Sequence, residues 1–597
     1  MELETVFVDE TPLPASMQRK LPPVQCLVPG AFPGKEEHEF ILCIASNDPV
    51  NDFEAVRTIY GMARLQCIMG AVLVNGYLMT ERPLNDDNWI SVCAPFRHGR
   101  PLTLQMERSE STKKIRSLLH PLTHYLDQAS AFLSPFKYRA VVVVSKAPSI
   151  TAKIVHTLQP HFLAPKPPSS SFCHTAFCAL WKQPSLPPSY DPPTCKRIDA
   201  ALDDIIAKRG KHRMTVVLAG GKNAGKSTFA RRIANYLVGG DDTPVYYLDA
   251  DIGQSEFSPG GVMTLTRLKG PMLGQPFSHQ QSSFELAYLY GDISPKDGHE
   301  RYMSVFNKLH DAWHEVGKKG AVLIINTMGW VQDTGMVILQ GIIERSCPEY
   351  IFGLNGSNPA MGFSIPAYLL KSTKSRLVPV IWHDDSVNRH GMPPSAVTLR
   401  DLSMVCYLAQ ALKDSRPVLS AFVDLQPIKN SLDKATIVIP EDQSSIHDRA
   451  LLAALNMQMI ALCAWGTVDP EKMGRRRLLG KAVMPWLVIA HHNMPPLRVI
   501  GYGFIRGINL STRSIYLISP VELTRMKEVN CFVLMQNLPV PASITFNQQR
   551  PHVPYQLDTD AAGARGGPRG GNSLALDLYS EFKNVTGHLR NRLPPRS

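Results

Sequence analysis

One stretch of the chain admits few folds. The apolar run Met214–Ala219 passes directly into Gly220-Gly221-Lys222-Asn223-Ala224-Gly225-Lys226-Ser227-Thr228, and apolar residues recur at helical spacing over Lys226–Leu237. A buried strand, a glycine-rich turn and a helix in this order make a phosphate-binding loop of the form G-x-x-x-x-G-K-[ST]. Glycines let the backbone curl so that successive N–H groups point inward at phosphate oxygens. The helix N-terminus adds partial positive charge. Lys226 is the residue that neutralises the β- and γ-phosphates of a nucleotide, and Ser227 offers a hydroxyl to Mg²⁺. Residues 220–228 are therefore the expected nucleotide site. The loop does not say which reaction follows, because GTPases, ATPases and small-substrate kinases share it.

The surroundings extend the reading. Val245–Leu248, Ala321–Ile325, Tyr350–Leu354 and Leu377–Trp382 are short apolar runs, and Arg197–Arg209 is helix-like. Strands alternating with helices predict an α/β fold, a central P-loop NTPase domain with a parallel, doubly wound sheet, over residues 196–425. Short strands separated by turn residues predict a β-rich N-terminal domain over 31–165, from Glu39–Ile44, Ala71–Leu78, Trp89–Cys93 and Arg139–Val144. A β-rich C-terminal domain over 430–550 follows from Thr436–Ile439, Trp486–Ala490, Leu497–Phe504, Ser514–Ile518 and Cys531–Leu534. Residues 166–195 hold many prolines and serines and read as a linker. Residues 1–30 read as flexible. Residues 551–597 read as a partly disordered tail, with arginine set among glycines at Gly563–Gly571.

Charge and cysteine usage narrow the setting. Across 597 residues the formal net charge is +12, which suits a polyanionic partner. Eleven cysteines, an odd number without zinc spacing, read as reduced thiols. No apolar stretch reaches the roughly 18 residues of a membrane span, so no membrane partner is expected. Met1–Ala15 carries acidic residues and no basic ones, unlike a signal peptide. An intracellular, soluble protein is the expectation.

Two further segments carry chemistry. Val245-Tyr-Tyr-Leu-Asp249-Ala-Asp251-Ile-Gly-Gln254 places two carboxylates two residues apart at the ligand end of a parallel strand. One can hold the metal and the other can take the proton of an attacking hydroxyl; otherwise the pair caps the next turn. The turn Phe257-Ser-Pro259-Gly260-Gly261 then breaks the chain sharply. Ala321–Ile325 leads into Asn326-Thr327-Met328-Gly329-Trp330. There a hydroxyl and an N–H can bond a phosphate and an indole can stack a base, or the tryptophan can simply pack in the core.

The loop, D-x-D-x-G-Q and T-x-G-W occur in one order, and together they resemble the polynucleotide 5′-hydroxyl kinases of RNA processing. Further support lies in KGPMLGQPFSH (269–279), YGDISPKDGHERY (290–302) and GFIRGINLSTRSIYLISPV (503–521). The likeness spans about 250–520 and is nearer to the nucleolar, nucleolar protein 9-like branch. It implies ATP-dependent phosphorylation of 5′-OH ends of RNA during pre-rRNA spacer processing and large-subunit biogenesis. It also implies a nuclear, nucleolar location and a Las-type endonuclease partner that leaves the 5′-OH. By the same likeness Asp251 is the general base, Asp249 its support and a metal ligand with Ser227. Gln254 lies near metal or substrate, and Thr327, Gly329 and Trp330 clasp the RNA end. Related kinases carry several lid arginines a turn apart. Here Arg400 fits, but Ser403, Met404 and Val405 follow it, and Arg376 and Arg389 are alternatives.

Lys208–Arg213 and Arg475-Arg476-Arg477 can neutralise RNA phosphates, serve as import signals or form solvated faces. Two other readings stay open: a P-loop ATPase or GTPase switch, though no N-K-x-D guanine motif is present, and a scaffold for a processing nuclease.

Overall fold

The computed structural model describes residues between 31 and 544. Gaps include 34–38, 47–55, 108–137 apart from Leu133, 164–172, 182–189, 383–393, 413–424 and 441–457 apart from Leu455. The flexible-terminus reading of 1–30, the tail with Gly563–Gly571, and Arg389 lie outside the described residues.

The strands and helices that position the site are numbered here in chain order. Strands are β1 (Met214–Gly220), β2 (Val245–Asp249), β3 (Val262–Arg267), β4 (Leu286–Leu289), β5 (Val322–Asn326), β6 (Tyr350–Gly356), β7 (Arg376–Trp382) and β8 (Arg498–Asn509). Helices are α1 (Pro192–Lys208), α2 (Lys226–Val238), α3 (His299–Val316), α4 (Thr334–Ser346), α5 (Ala367–Thr373) and α6 (Ala396–Ala409). Asp191 caps α1 by accepting the Thr194 N–H at 2.8 Å, with prolines in its first turn where no N–H is missed.

The central sheet runs β7-β6-β1-β5-β2-β3-β4. Its first five strands pair in parallel. The strands are apolar on both faces because both faces are covered. Val216, Leu218, Tyr247, Ile324 and Phe352 pack with Ile198 and Leu202 of α1 and Phe229 and Ile233 of α2. Val217, Leu248, Leu323, Ile325 and Ile351 pack with Val305 and Leu309 of α3 and Ile338 and Ile342 of α4. Each such side chain contributes about 1.5–3 kcal/mol when fully buried, so burial on both faces holds the β1-β5-β2 centre in place.

The expected parallel sheet, flanked by a β-rich C-terminal domain, is parallel only over its first five strands. Strands β3 and β4 pair antiparallel, and β4 pairs with β8 through Tyr288↔Arg498. Fifteen strands among the described residues thus form one hydrogen-bonded sheet that continues into the C-terminal region. Arg301 staples this junction. Its Nε donates to Tyr290 O and its Nη2 to Leu289 O, each at 2.9 Å, and Nη1 donates to Met494 O. A buried cation costs several kcal/mol unless its donors are met, and here three carbonyls meet them.

The N-terminal sheet has ten strands among the described residues. Its hub, the 14-residue strand Val56–Met69, has no counterpart in the expected runs, since Gly61 and arginines interrupt its alternation. Ala71–Leu78 is a hairpin rather than one strand, with Asn75 and Gly76 both at positive φ (45° and 89°). Residues 166–195, read as a linker, instead supply Cys173–Thr175 and Cys178–Trp181, the latter pairing antiparallel with the hub strand. The sheet docks on the loop helix through Asn235, which is fully buried. Asn235 Nδ2 donates to Asn75 O and Met272 O, each at 3.1 Å. The eight cysteines whose side chains are described are free thiols. Among the described residues no helix is long and apolar enough to cross a membrane.

One histidine in this core sets a pH response. His310 on α3 is 2% exposed, lies over Phe306 with 6.0 Å between ring centres, and its Nδ1 has no hydrogen-bond partner. Burial, then the neighbouring charges of His314 and Arg345, lowers its pKa to about 4. Between pH 6.5 and 4 the unfolded chain holds a proton that the folded one does not, so stability falls on acidification through that window. A thermal melt at pH 4.5 should lie a few degrees below that at pH 7, and His310→Phe should remove part of that difference.

Candidate active site

The parallel register decides where the site opens. Leu218 of β1 and Asp249 of β2 both pair with Asn326 at the end of β5. The phosphate loop, the two aspartates and the Thr327–Trp330 segment therefore leave the sheet side by side, at the carboxyl ends of adjacent strands.

Gly225 caps α2 with φ 80°, where a side chain would be strained, and Asn223 also lies at positive φ, 62°. These turns curl the loop around the start of the helix. Lys226 is 6% exposed and its Nζ donates to Gly221 O at 2.9 Å. Burial lowers its pKa to about 8, against the charge of Asp251, which raises it. A buried lysine facing a carboxylate has lost its water shell and would gain from an anionic tail beside it. Ser227 is half-buried; Thr228 is exposed and its Oγ1 accepts from Arg231 Nη2 at 3.4 Å.

The two aspartates differ. Asp249 is 1% exposed. Its Oδ1 accepts Asn326 Nδ2 at 3.1 Å and Asp251 N at 3.3 Å, and its Oδ2 accepts Glu256 N at 2.6 Å. It ties the ends of β2 and β5 together, and burial pushes its pKa up to about 8 despite those donors. Asp251 is more open. Its Oδ1 accepts Gly253 N at 3.1 Å and Gln254 N at 3.2 Å, which shapes the turn. Burial raises its pKa, while Lys226, the two backbone donors and Arg400 pull it down. Asp251 thus lies within the electrostatic reach of both the loop lysine and the arginine on α6.

The T-x-G-W segment closes over the loop. A side chain at Gly329 would put its Cβ 2.8 Å from Lys222 Cα, and that position is 3.3 Å from Lys226 Nζ. Only glycine allows this approach. Thr327 is 2% exposed and its Oγ1 donates to Leu218 O at 2.7 Å, so its proton is spent on the β1 backbone. Trp330 is half-buried, its ring pressed on Gly335 at the start of α4. Gln254 is exposed.

Arg376 does not belong here. It starts β7, at the opposite end of the sheet, where Nη1 donates to Tyr350 Oη at 3.2 Å and lies 3.5 Å from Asp204. Lys208–Arg213 also lies at that far end, before β1. Arg475–Arg477 lies on the strand Arg475–Leu479.

With this geometry in view, the likeness to known proteins is specific. The mRNA cleavage and polyadenylation factor CLP1 P-loop family matches residues 220–361, from the loop past the T-x-G-W segment. The polynucleotide 5′-hydroxyl-kinase nol-9 of Caenorhabditis briggsae is 31% identical over 386 residues, 64% of this chain and 67% of that protein. The chain belongs to the polynucleotide 5′-hydroxyl kinase family. The Caenorhabditis elegans nol-9 kinase is 28% identical over 562 residues, covering 90% of this chain and 95% of its own. The Mus musculus NOL9 kinase is 25% identical over 572 residues, 83% of this chain and 74% of its own. Among solved structures a Clp1p–Pcf11p complex matches 85% of this chain at 13% identity and a TM-score of 0.47.

Several residues around this kinase-family site carry no motif. Asn326 had a signal, a polar residue ending an apolar strand. Glu256 had none: it is 1% exposed, with Oε1 2.6 Å from His279 Nδ1 and 3.4 Å from Arg231 Nη1. Burial alone would raise its pKa, but Arg231 and His279 hold it low, so a charged cluster braces the Asp251 turn against α2.

Magnesium fits the donor set here. The Ser227 hydroxyl and the Asp249 carboxylate are hard oxygen donors, and Asn326, whose Nδ2 bonds Asp249, keeps a buried Oδ1 without a hydrogen-bond partner.

Proposed function

We infer that this protein is a kinase that transfers the γ-phosphate of ATP to the 5′-hydroxyl of a polynucleotide. The observation that carries the reading is that Lys226, Asp251 and Gly329 lie together at the carboxyl ends of adjacent strands, Gly329 against the phosphate loop and Asp251 within charge reach of Lys226. ATP would lie on residues 220–228, with Lys226 beside its terminal phosphates. The 5′-oxygen attacks the γ-phosphorus, the bond to the β–γ bridging oxygen breaks, and ADP leaves. Asp251 receives the hydroxyl proton, and its raised pKa suits a base. Ser227 and Asp249 would hold magnesium, which offsets phosphate charge when bound. The charge of Arg400 reaches Asp251, and it would stabilise the transferring group. Gly329 lets the clasp close on the loop, and Trp330 and Gln254 line the acceptor side. Thr327 holds the clasp to β1 by its hydrogen bond to Leu218 O.

The acceptor is the 5′-OH end of RNA, and the setting is pre-rRNA spacer processing for the large ribosomal subunit, in the nucleolus. A Las-type endonuclease would supply the 5′-OH end. The likeness to the nucleolar branch, the names of the relatives and the net charge of +12 support this reading.

The test is transfer of γ-labelled phosphate from ATP. Label should reach the 5′ end of 5′-OH RNA and should not reach the same RNA already bearing a 5′-phosphate. Release of free phosphate without labelled RNA would instead mark an ATPase switch and end the kinase reading.

A further inference from the structure

Helix α6 carries Arg400 near its start and Tyr407 seven residues on, hence on the same side of the helix. Tyr407 is fully buried and its hydroxyl is spent on two elements. It accepts the Tyr502 N–H at 2.7 Å and donates to Ser282 O at 3.1 Å. Tyr502, on β8 of the C-terminal region, meets the Tyr407 ring edge-on, 5.8 Å between centres at 81°. Its own hydroxyl reaches the other way, donating to Gly260 O at 2.9 Å, with Pro259 O at 3.2 Å. Gly260 belongs to the turn that follows Asp251, and Gly261 N closes that turn on Ile252 O at 2.8 Å. Phe284 fills the third side, 6.2 Å from Tyr502 and 6.4 Å from Tyr407. Gly501 leaves the space this needs, since a Cβ there would sit 2.7 Å from Tyr407 Oη.

Buried tyrosines commonly satisfy one hydroxyl on whatever backbone is near. This pair differs in that its bonds run in series from the arginine helix to β8 and from β8 to the aspartate turn. A strand in a continuous sheet is a rigid reference for both. We propose that Tyr407 and Tyr502 are positioning residues that lock helix α6 to the Asp251 turn through β8, so the C-terminal region sets where Arg400 stands relative to Asp251. The proposal rests on the kinase reading above. Neither tyrosine touches ATP or RNA; each acts on the reaction through Arg400 or Asp251.

The test is a double-mutant cycle on 5′-phosphate transfer, measured well below each variant's melting temperature. Tyr407→Phe should lower kcat about tenfold and leave the KM for ATP unchanged. Arg400→Ala should lower kcat about a hundredfold. Adding Tyr407→Phe to Arg400→Ala should bring no further loss, because the residue being positioned is gone. Tyr502→Phe, which keeps its N–H bond to Tyr407 and loses the hydroxyl bonds to Gly260 O and Pro259 O in the aspartate turn, should also lower kcat about tenfold. Tyr246→Phe loses a comparable hydroxyl bond, to Val316 O at 3.2 Å at the far end of the sheet, and should transfer at the wild-type rate. An equal fractional loss from Tyr407→Phe in both backgrounds would show a general structural effect and overturn the proposal. So would unchanged kcat in both tyrosine variants. Wild-type protein that releases phosphate but labels no RNA would overturn it together with the kinase reading, and that result is distinct from the other two.

Discussion

Lys226→Ala should lower labelled-phosphate transfer to 5′-OH RNA by about a thousandfold. The size follows from the setting of the ammonium. At an effective dielectric of about 20, a unit charge about 4 Å from a phosphate charge gives about 4 kcal/mol, or about three powers of ten. Lys226 is 6% exposed and Asp251 is its charged neighbour, so water and other cations replace it poorly. Unfolding does not explain the expected loss. Burial holds the pKa of Lys226 near 8, well below the ordinary lysine value of 10.5, which means the folded protein bears a cost for this cation. Its removal should leave the melting temperature unchanged or raise it. Transfer within tenfold of wild type would remove the phosphate site from these residues.

Asp251→Asn should lower kcat by about a thousandfold while shifting the KM for ATP no more than about threefold. The substitution is well matched to the structure. Oδ1 of Asp251 accepts only backbone N–H groups, from Gly253 and Gln254, and an asparagine oxygen can accept both. The turn therefore survives, and what disappears is the group that takes the proton. Asp249 offers no such separation. Its two oxygens accept from Asn326, Asp251 and Glu256, so an amide there would set a donor against a donor and loosen the strand ends. Transfer by Asp251→Asn at the wild-type rate would mean that the acceptor hydroxyl loses its proton elsewhere.

The motifs foretold the phosphate loop and the strand ends around it better than their surroundings. The phosphate loop, Asp249 and Asp251 lie where a strand–turn–helix reading puts them, because each sits at a strand end that local apolar patterning already marks. The clasp was half legible. T-x-G-W announced a ligand end, yet the structure commits the Thr327 proton to Leu218 O and gives Gly329 the closest approach to the loop. The linker reading of 166–195 overlooked two short strands, because prolines and serines dominate its composition while Cys178–Trp181 pairs with the long strand Val56–Met69 and in turn with Cys173–Thr175.

By itself the sequence determined that a nucleotide loop opens a parallel sheet and that carboxylates stand at the next strand end. Those features depend on residues close together in the chain, where backbone freedom, apolar periodicity and side-chain chemistry act locally. Only the tertiary structure decided that Arg376 lies at the opposite end of the sheet and that the charge of Arg400 comes within reach of Asp251. It alone brought Tyr502 between the arginine helix and the aspartate turn, 95 residues from Tyr407 and 242 from Gly260. Such contacts arise when burial drives distant strands into one sheet, and no local pattern encodes which hydroxyl will meet which carbonyl.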